Sequence, residues 1–448
     1  RCAHYGCAPI CAAGKKCPRL RLRPSYNTLW TFLYIRYLSL TQHSQPLDLE
    51  EALASLKSQM LPITATEQCP LQQSRGRVLA RPATANLNLP PFRASAMDGY
   101  AIRAQDQGLS LTVIGQSLAG HPYNGDISAG ECLRIFTGAM LPSSADQVIL
   151  QEEVAQRDAT SVLFNTHSPS ESYVRAIGND LKVGSQIAAP GDVLNPFLIA
   201  SLASAGVNLV EVLRKPVIGV FSSGDELRDS SVPVEALLEG QIYDSNRLTV
   251  MELLKNLPVE VRDLGRLADE ADAVSNALRE GAQHCDAMIT SGGVSVGDAD
   301  YISETIERLG TLAFWRLNLK PGKPMAFGKI ENCWIFGLPG NPVSTIVTAL
   351  LLVRPALLAL AGAKLAPALR LKANLTTPVT HQAGRTEYQR GTFAENAGLF
   401  EVSHTGDQGS NRLSTFHHAN CLIEVDKNLG DLAPGDEVNI LPLDNLLN

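Results

Sequence analysis

The chain has 448 residues, 45% of them apolar, and a net charge of −7, which suits a globular protein of about two to four domains. No run approaches about 20 uninterrupted apolar residues, so the sequence offers no spanning helix and no membrane partner is expected. Residues 1–45 carry seven Lys/Arg and no acid, leaving 31 basic against 45 acidic residues beyond them, a net of −14; a body this acidic lacks the basic face that nonspecific nucleic-acid binding needs.

The first 45 residues show no helical or strand period. They contain Cys2, Cys7, Cys11 and Cys17, whose spacing lacks the paired C-x2-C form of most zinc modules. Basic residues before a short apolar run also fit a targeting peptide. The segment is expected to be a disordered tail or an over-extended reading frame, outside the fold. The other five cysteines, Cys69, Cys132, Cys285, Cys333 and Cys421, stand singly. They read as buried, reduced thiols of a cytoplasmic protein.

From Leu47 onward, Leu49, Ala52, Leu53 and Leu56 recur at helical spacing, with Asp48, Glu50 and Glu51 in the first turn. A second short helix is predicted over residues 72–80. Residues 109–190 alternate short apolar runs with Gly, Pro and Asp turns, a β-rich pattern. A helix over 196–205 is closed by Gly206. The pattern changes at Lys215-Pro216. An apolar strand over 217–221 is followed by a helix (246–257), a strand (259–264), a helix (269–283), a strand (286–290) and a helix (301–309). An extended segment (314–319), a loop (320–324), a strand (333–337) and a long apolar helix (342–360) complete the series. Pro355 is expected to kink or end that last helix. Alternating strands and helices predict a doubly wound α/β layer structure, and the residues after 364 return to a β pattern.

In open α/β sheets, ligands bind where the strands end at their C-termini. Five polar loops fall there. Ser223-Gly224-Asp225-Glu226 follows the first strand and Asp269 follows the second. Gly292, Gly293, Ser295, Asp298 and Asp300 follow the third. Lys320 and Lys323 follow the extended segment that contains Arg316. Pro339, Gly340, Asn341, Pro342 and Ser344 follow the last strand. Glycines let a backbone approach a phosphate, and a helix N-terminus offers free N–H groups. Asp225, Glu226, Asp269, Asp298 and Asp300 are hard oxygen donors suited to Mg²⁺, some directly and others through water. Lys320 and Lys323 supply point charges for an oxyanion. Asn341 can cap the last helix, with Pro342 at its first position. By composition alone, Asp98-Gly99 is a tight turn.

Taken together, seven segments resemble the molybdopterin molybdenumtransferase family, of the MoeA type related to the E domain of gephyrin. They are Ser95-Ala-Met-Asp-Gly-Tyr100, Phe136-Thr-Gly138, Ser223-Gly-Asp-Glu226, Gln241-Ile-Tyr-Asp-Ser-Asn246, Ser291-Gly-Gly-Val-Ser-Val-Gly-Asp298, Lys320-Pro-Gly-Lys-Pro324 and Leu338-Pro-Gly-Asn-Pro-Val-Ser344. The resemblance covers about residues 46–448 and implies a multidomain α/β plus β protein. A MoaB/MogA-like α/β domain (216–363) would bind molybdopterin. A linker domain would use 46–90 and 180–215, a β-rich domain (91–179) would be inserted in it, and a β-barrel (364–448) would end the chain. It implies a cytoplasmic homodimer, supplied by molybdopterin adenylyltransferase and other cofactor-synthesis proteins. In this family, molybdate and adenylylated molybdopterin react with Mg²⁺ present, giving molybdenum cofactor and AMP.

The same resemblance makes Asp98, Asp180, Glu226, Asp269, Asp300, Lys320, Pro339 and Pro342 functional positions. Lys323 and Ser344 belong to the same loops, and Arg385 and Ser410 match the family's proposed molybdate contacts. Asp98 would come from the β module, on one protomer or the other. A molybdopterin adenylyltransferase would share the α/β domain but would not need 46–215 and 364–448. A peptide-binding scaffold would not need a full set of acids and lysines.

Overall fold

In the computed structural model the described residues are 46–165, 173–294 and 301–447. The cysteine-bearing stretch 1–45, with its zinc, targeting and tail readings, lies outside them, as do Ser295, Asp298 and Asp300.

Helix α1 (Leu49–Gln59) starts where the Asp48 amide donates to Glu51 Oε2 at 2.9 Å, satisfying one of the free N–H groups of a helix start. Its stripe of Leu49, Ala52 and Leu56 packs in one core with Leu350, Leu352 and Leu357, so α1 belongs by contact to the α/β layers. Strand Thr66–Pro70 instead pairs antiparallel with Leu209–Leu213. Cys69, Leu71 and Leu79 then share a core with Ala188, Leu202 and Val210. The helix expected over 72–80 is only a 3-10 turn, Leu71–Gln73. Gly76 sits at φ +73°, and the backbone beyond it bonds to a distant segment: Leu194 N–H donates to the Arg77 carbonyl and Leu79 N–H to the Asp192 carbonyl, both at 2.9 Å. Tertiary partners replace helical ones.

The inserted segment forms a six-stranded sheet in the order Gln147–Leu150, Gly99–Ile102, Glu131–Ile135, Ser110–Ser117, Ser161–Phe164, Val154–Arg157. Side chains alternate across it. Ala101, Leu133, Ile135 and Val148 fill one core, while Tyr100, Ile102, Cys132 and Ile149 fill the other. Helix α2 (Pro196–Ser204) follows, capped by Asn195, whose side chain accepts from Leu198 N–H at 2.9 Å.

The α/β layers run β1 (Val217–Ser223), α3 (Ser245–Leu254), β2 (Glu260–Leu267), α4 (Ala271–Ala282), β3 (Ala287–Ser291), α5 (Tyr301–Leu309), β4 (Thr311–Arg316), β5 (Pro324–Ile330), β6 (Cys333–Leu338) and α6 (Pro342–Leu360). The sheet order is β2-β1-β3-β6-β5-β4. The first four strands are parallel; β5 runs antiparallel to β6 and β4. Val250 and Leu254 of α3 join α6 on one face, and Val274, Leu278, Ile302 and Ile306 of α4 and α5 cover the other. The doubly wound expectation therefore holds, with an antiparallel edge.

Pro355 does not end α6. Ahead of it, Ala349–Val353 is wound as a π turn before α-helix resumes at Arg354–Leu360. A wider turn accommodates the missing N–H and the proline ring. Among the described residues, α6 is the one helix long and apolar enough to cross a membrane, yet 78% of its most apolar window is buried inside the fold.

Strands Leu371–Leu375, Thr386–Asn396, Leu399–His404, Cys421–Val425 and Glu437–Pro442 close a barrel, because Thr386–Asn396 pairs with both Leu399–His404 and Cys421–Val425. The segment 320–324, expected to be a loop, starts as a short strand. Leu319–Lys320 joins this barrel, with Lys320 opposite Glu387.

Candidate functional site at the strand ends

Register brings three loops to one edge: Ser222 lies opposite Ser291, and Ser291 opposite Leu338. The loops touch. A Cβ on Gly292, at φ +91°, would lie 2.5 Å from the Ser223 carbonyl oxygen, and one on Gly293 would lie 3.0 Å from Ser223 Oγ. Only glycine fits there. Among the described residues, Ser223 Oγ and Thr290 Oγ1 are buried with no hydrogen-bond partner. A buried hydroxyl left unpaired costs about 1–3 kcal/mol, and Ser223 Oγ stands at the loop where a ligand oxygen would relieve that cost.

Asn246, in the first turn of α3, donates to Ser291 Oγ at 2.8 Å and to the Gly340 carbonyl at 2.7 Å, tying the β3 and β6 loops together. Its helix is anchored by Asp244, which accepts from Ser222 Oγ at 2.5 Å and from Arg247 N–H at 3.1 Å. The Arg247 guanidinium meets Asp244 at 3.0 Å, Asp229 at 2.8 Å, and also Asp263. Burial opposes its charge, but the hydrogen bonds to Asp263, Asp244 and Asp229 outweigh this and raise its pKa above the ordinary arginine value. Among the seven segments that carry the resemblance, 241–246 contributes the Asn246 tie rather than an expected site residue.

Asp225 is exposed, with Arg266 Nη1 at 3.9 Å, and its Oδ1 lies 3.4 Å from the Asp269 amide nitrogen. Glu226 Oε2 lies 2.7 Å from where a Cβ on Gly224 would be. Among the described residues, no three His, Cys, Asp or Glu side chains form a cage for a metal. Exposed oxygen donors of this kind fit Mg²⁺, which keeps several waters and takes one or two carboxylates plus substrate oxygens. Two of the five expected metal residues, Asp298 and Asp300, are outside the described residues.

On the cationic side, Lys320 Nζ bonds Glu387 Oε2 at 3.0 Å. Lys323 is exposed, and its carbonyl accepts from Leu317 N–H at 2.9 Å. Arg316 ends β4 in register with Pro324.

At the start of α6, Pro342 occupies the first turn, but the Asn341 side chain makes no cap. Thr345 Oγ1 donates to the Pro339 carbonyl at 2.6 Å, so the turn is closed from inside, and Asn341 is exposed. Val343 N–H donates to the Ser410 carbonyl at 3.1 Å. The barrel therefore uses one free helix N–H, and Ser410 comes to the site. Among the described residues, Arg385 makes no comparable contact. Arg390, fully buried in the strand Thr386–Asn396, holds the 407–415 segment from inside, donating to the Asp407 and Gly409 carbonyls at 3.3 and 3.1 Å and to Thr415 Oγ1 at 3.0 Å. Burial pulls its pKa down to about 10.

Two expected residues make their bonds away from this edge. Asp98 Oδ1 accepts from Thr137 N–H and Oγ1, each at 2.8 Å, within the inserted sheet's loops, and these two bonds hold its pKa below the ordinary aspartate value. Asp180 is exposed, and its amide bonds Leu89.

Three family models match the chain: "MoeA N-terminal region (domain I and II)" over residues 47–206, "Probable molybdopterin binding domain" over 219–359, and "MoeA C-terminal region (domain IV)" over 372–443. The chain is 40% identical to a molybdopterin molybdenumtransferase of Haemophilus influenzae, over 90% of this chain and 100% of that one. It is 31% identical to gephyrin of Dictyostelium discoideum, over 85% of this chain and 60% of that one. The crystal structure of a molybdopterin biosynthesis MoeA protein from Pyrococcus horikoshii superposes with a TM-score of 0.75 at 29% identity, covering 89% of this chain and 100% of that one.

Proposed function

The chain belongs to the molybdopterin molybdenumtransferase (MoeA) family and is a transferase of molybdenum cofactor biosynthesis, and from that premise we propose the reaction its loops carry out. Molybdate and an adenylylated molybdopterin bind at the strand-end edge. The two pterin thiols replace one molybdate oxygen, which leaves as water, and water cleaves the pterin–adenylate phosphoanhydride so that AMP leaves. The observation that supports this reading is the convergence of the β1, β3 and β6 loops, with Ser223 against Gly292 and Asn246 bridging Ser291 and Gly340, while a Cβ on Gly322, in the Lys320–Lys323 loop, would lie 4.0 Å from the Ser344 carbonyl oxygen.

Gly224, Gly292, Gly293 and Gly340 admit the phosphates, with Ser223 and Asn341 as polar contacts. Lys320 and Lys323 hold an oxyanion against the charge of its neighbour. Ser344 and the Ser410 loop border the helix start, where the remaining N–H groups face an anion. Asp225, Glu226 and Asp269 would hold Mg²⁺, which when bound lowers the repulsion between pyrophosphate and molybdate. The sulfur ligands are the pterin's own. Buried thiols agree with this: all five described cysteines are buried and free. The proposal extends to a cytoplasmic homodimer fed by a molybdopterin adenylyltransferase, with Asp98 contributing from the inserted module.

The test is AMP release from adenylylated molybdopterin and Mg²⁺, with and without molybdate. Molybdate-dependent release is expected. Tight nucleotide binding with no release would replace the reading with a carrier or scaffold role.

A further inference from the structure

Glu387 is a barrel residue with 3% of its side chain exposed, and one of its oxygens serves two partners. Oε2 accepts from Lys320 Nζ at 3.0 Å and bonds His381 Nδ1 at 2.8 Å. The His381 ring is buried, its amide donates to Asp431 Oδ1 at 2.8 Å, and its Nε2 is buried with no partner among the described residues. If Nδ1 carries the proton, Nε2 is a bare lone pair. The opposite tautomer would bury an unpaired N–H and set a lone pair against a carboxylate, so the geometry selects Nδ1–H. Histidine thus fixes the carboxylate, and the carboxylate fixes the ammonium. Backbone pairing supports the same contact, since Lys320 and Glu387 are register partners.

A lysine side chain loses about 2 kcal/mol of rotamer freedom when held, and an exposed loop lysine would otherwise sweep a wide arc. Lys320 keeps 44% of its side chain exposed while one N–H is spent on Glu387. Its other two donors stay available to an oxyanion. We propose that Glu387, backed by His381, is a positioning pair that aims Lys320 at the oxyanion, so that the barrel sets the geometry of a residue on the α/β domain. This rests on the proposed reading of Lys320 as an oxyanion contact.

The test compares wild type, K320A, E387Q, E387D and the K320A/E387Q double variant of the full chain in AMP release, each checked for fold by thermal melting. A misaimed contact costs up to about 100-fold, so E387Q should lower kcat/KM by about 10- to 100-fold. E387D, which keeps a carboxylate, should recover part of that loss. E387Q should add nothing in the K320A background, because both changes remove one interaction. Wild-type kinetics in folded E387Q, or an equal loss with and without Lys320, would overturn the proposal.

A second readout needs no turnover. Acetylation by a small amine-selective reagent, followed by peptide mass spectrometry, should modify Lys320 more slowly than Lys323 in wild type, and E387Q should bring the two rates together. Equal rates in wild type would sink the positioning pair whatever the AMP result. An inactive wild type with protected Lys320 would sink only the proposed reaction.

Discussion

Arg214 and Asp286 form a two-pronged pair: Nη1 reaches Oδ2 and Nη2 reaches Oδ1, each at 2.9 Å. The pair lies at the end of the sheet opposite the candidate site. Asp286 Oδ2 also accepts from Val217 N–H at 2.7 Å, so a single carboxylate fastens the start of β1 to the segment leading into β3.

That pair has a measurable pH signature. Burial alone would raise the Asp286 pKa, but the Arg214 and Val217 hydrogen bonds outweigh it and hold it below the ordinary value. A lowered folded-state pKa means the stabilisation is complete above the unfolded value of about 3.9 and is lost as pH falls through the folded one. D286N should cost about 1–3 kcal/mol at pH 7. In denaturant titrations, the gap between it and wild type should narrow below about pH 4. A constant gap would contradict the assignment.

Asn246→Ala removes both bonds that join the β3 and β6 loops. The loops keep their strands, so the fold should persist. Activity should fall by about 10- to 100-fold through misplacement of the glycine turns. Steady-state AMP release beside an unchanged circular dichroism spectrum checks this.

Gly292→Ala places a methyl 2.5 Å from the Ser223 oxygen at a φ of +91°. Strain and clash together should cost about 1–3 kcal/mol. They should also move the loop away from Ser223, so that nucleotide affinity falls together with the melting temperature. Alanine at Gly240, also at positive φ but with nothing within 4 Å, should leave nucleotide affinity unchanged.

Thr137→Val deletes one of the two bonds that lower the Asp98 pKa. The aspartate pKa should rise toward its ordinary value of about 3.9. If Asp98 acts as a carboxylate, the acid limb of the pH–rate profile moves to higher pH. An unmoved limb would assign that limb to another group.

Burial pushes the Cys132 and Cys421 thiols up to about 12 and raises Cys285 and Cys333 as well. These four should resist alkylation at pH 8 in the native protein and react on denaturation. Peptide mapping keeps them distinct from the cysteines before residue 46.

Legibility followed the range of each interaction. Val217–Ser223 could be read because a strand covered on both faces is apolar throughout, and the loops after β1, β3 and β6 announce themselves by glycine. Strand β5 went unread since it opens on Pro324 and contains Gly328, both turn signals. Gly328 is in fact where α5 packs closely: a Cβ there would meet Ile306 at 2.4 Å. Asn246 was visible only as part of a motif. The Lys320–Glu387–His381 contact joins residues more than 60 positions apart, and no local spacing marks it. The buried role of Arg390 is likewise invisible from sequence, because exposure and contact within one strand cannot be told from charge alone.

The pairing of Leu319–Lys320 with the barrel strand has a consequence for how such proteins are assembled. Segments that look separable along the chain are stitched together by a strand that belongs to one and lies in the sheet of the other. A barrel from a distant relative, grafted at residue 364, would have to match not only its own hydrophobic interior but also this borrowed edge and its carboxylate. Recombination at that seam is therefore constrained by a contact that sits more than 40 residues upstream of it.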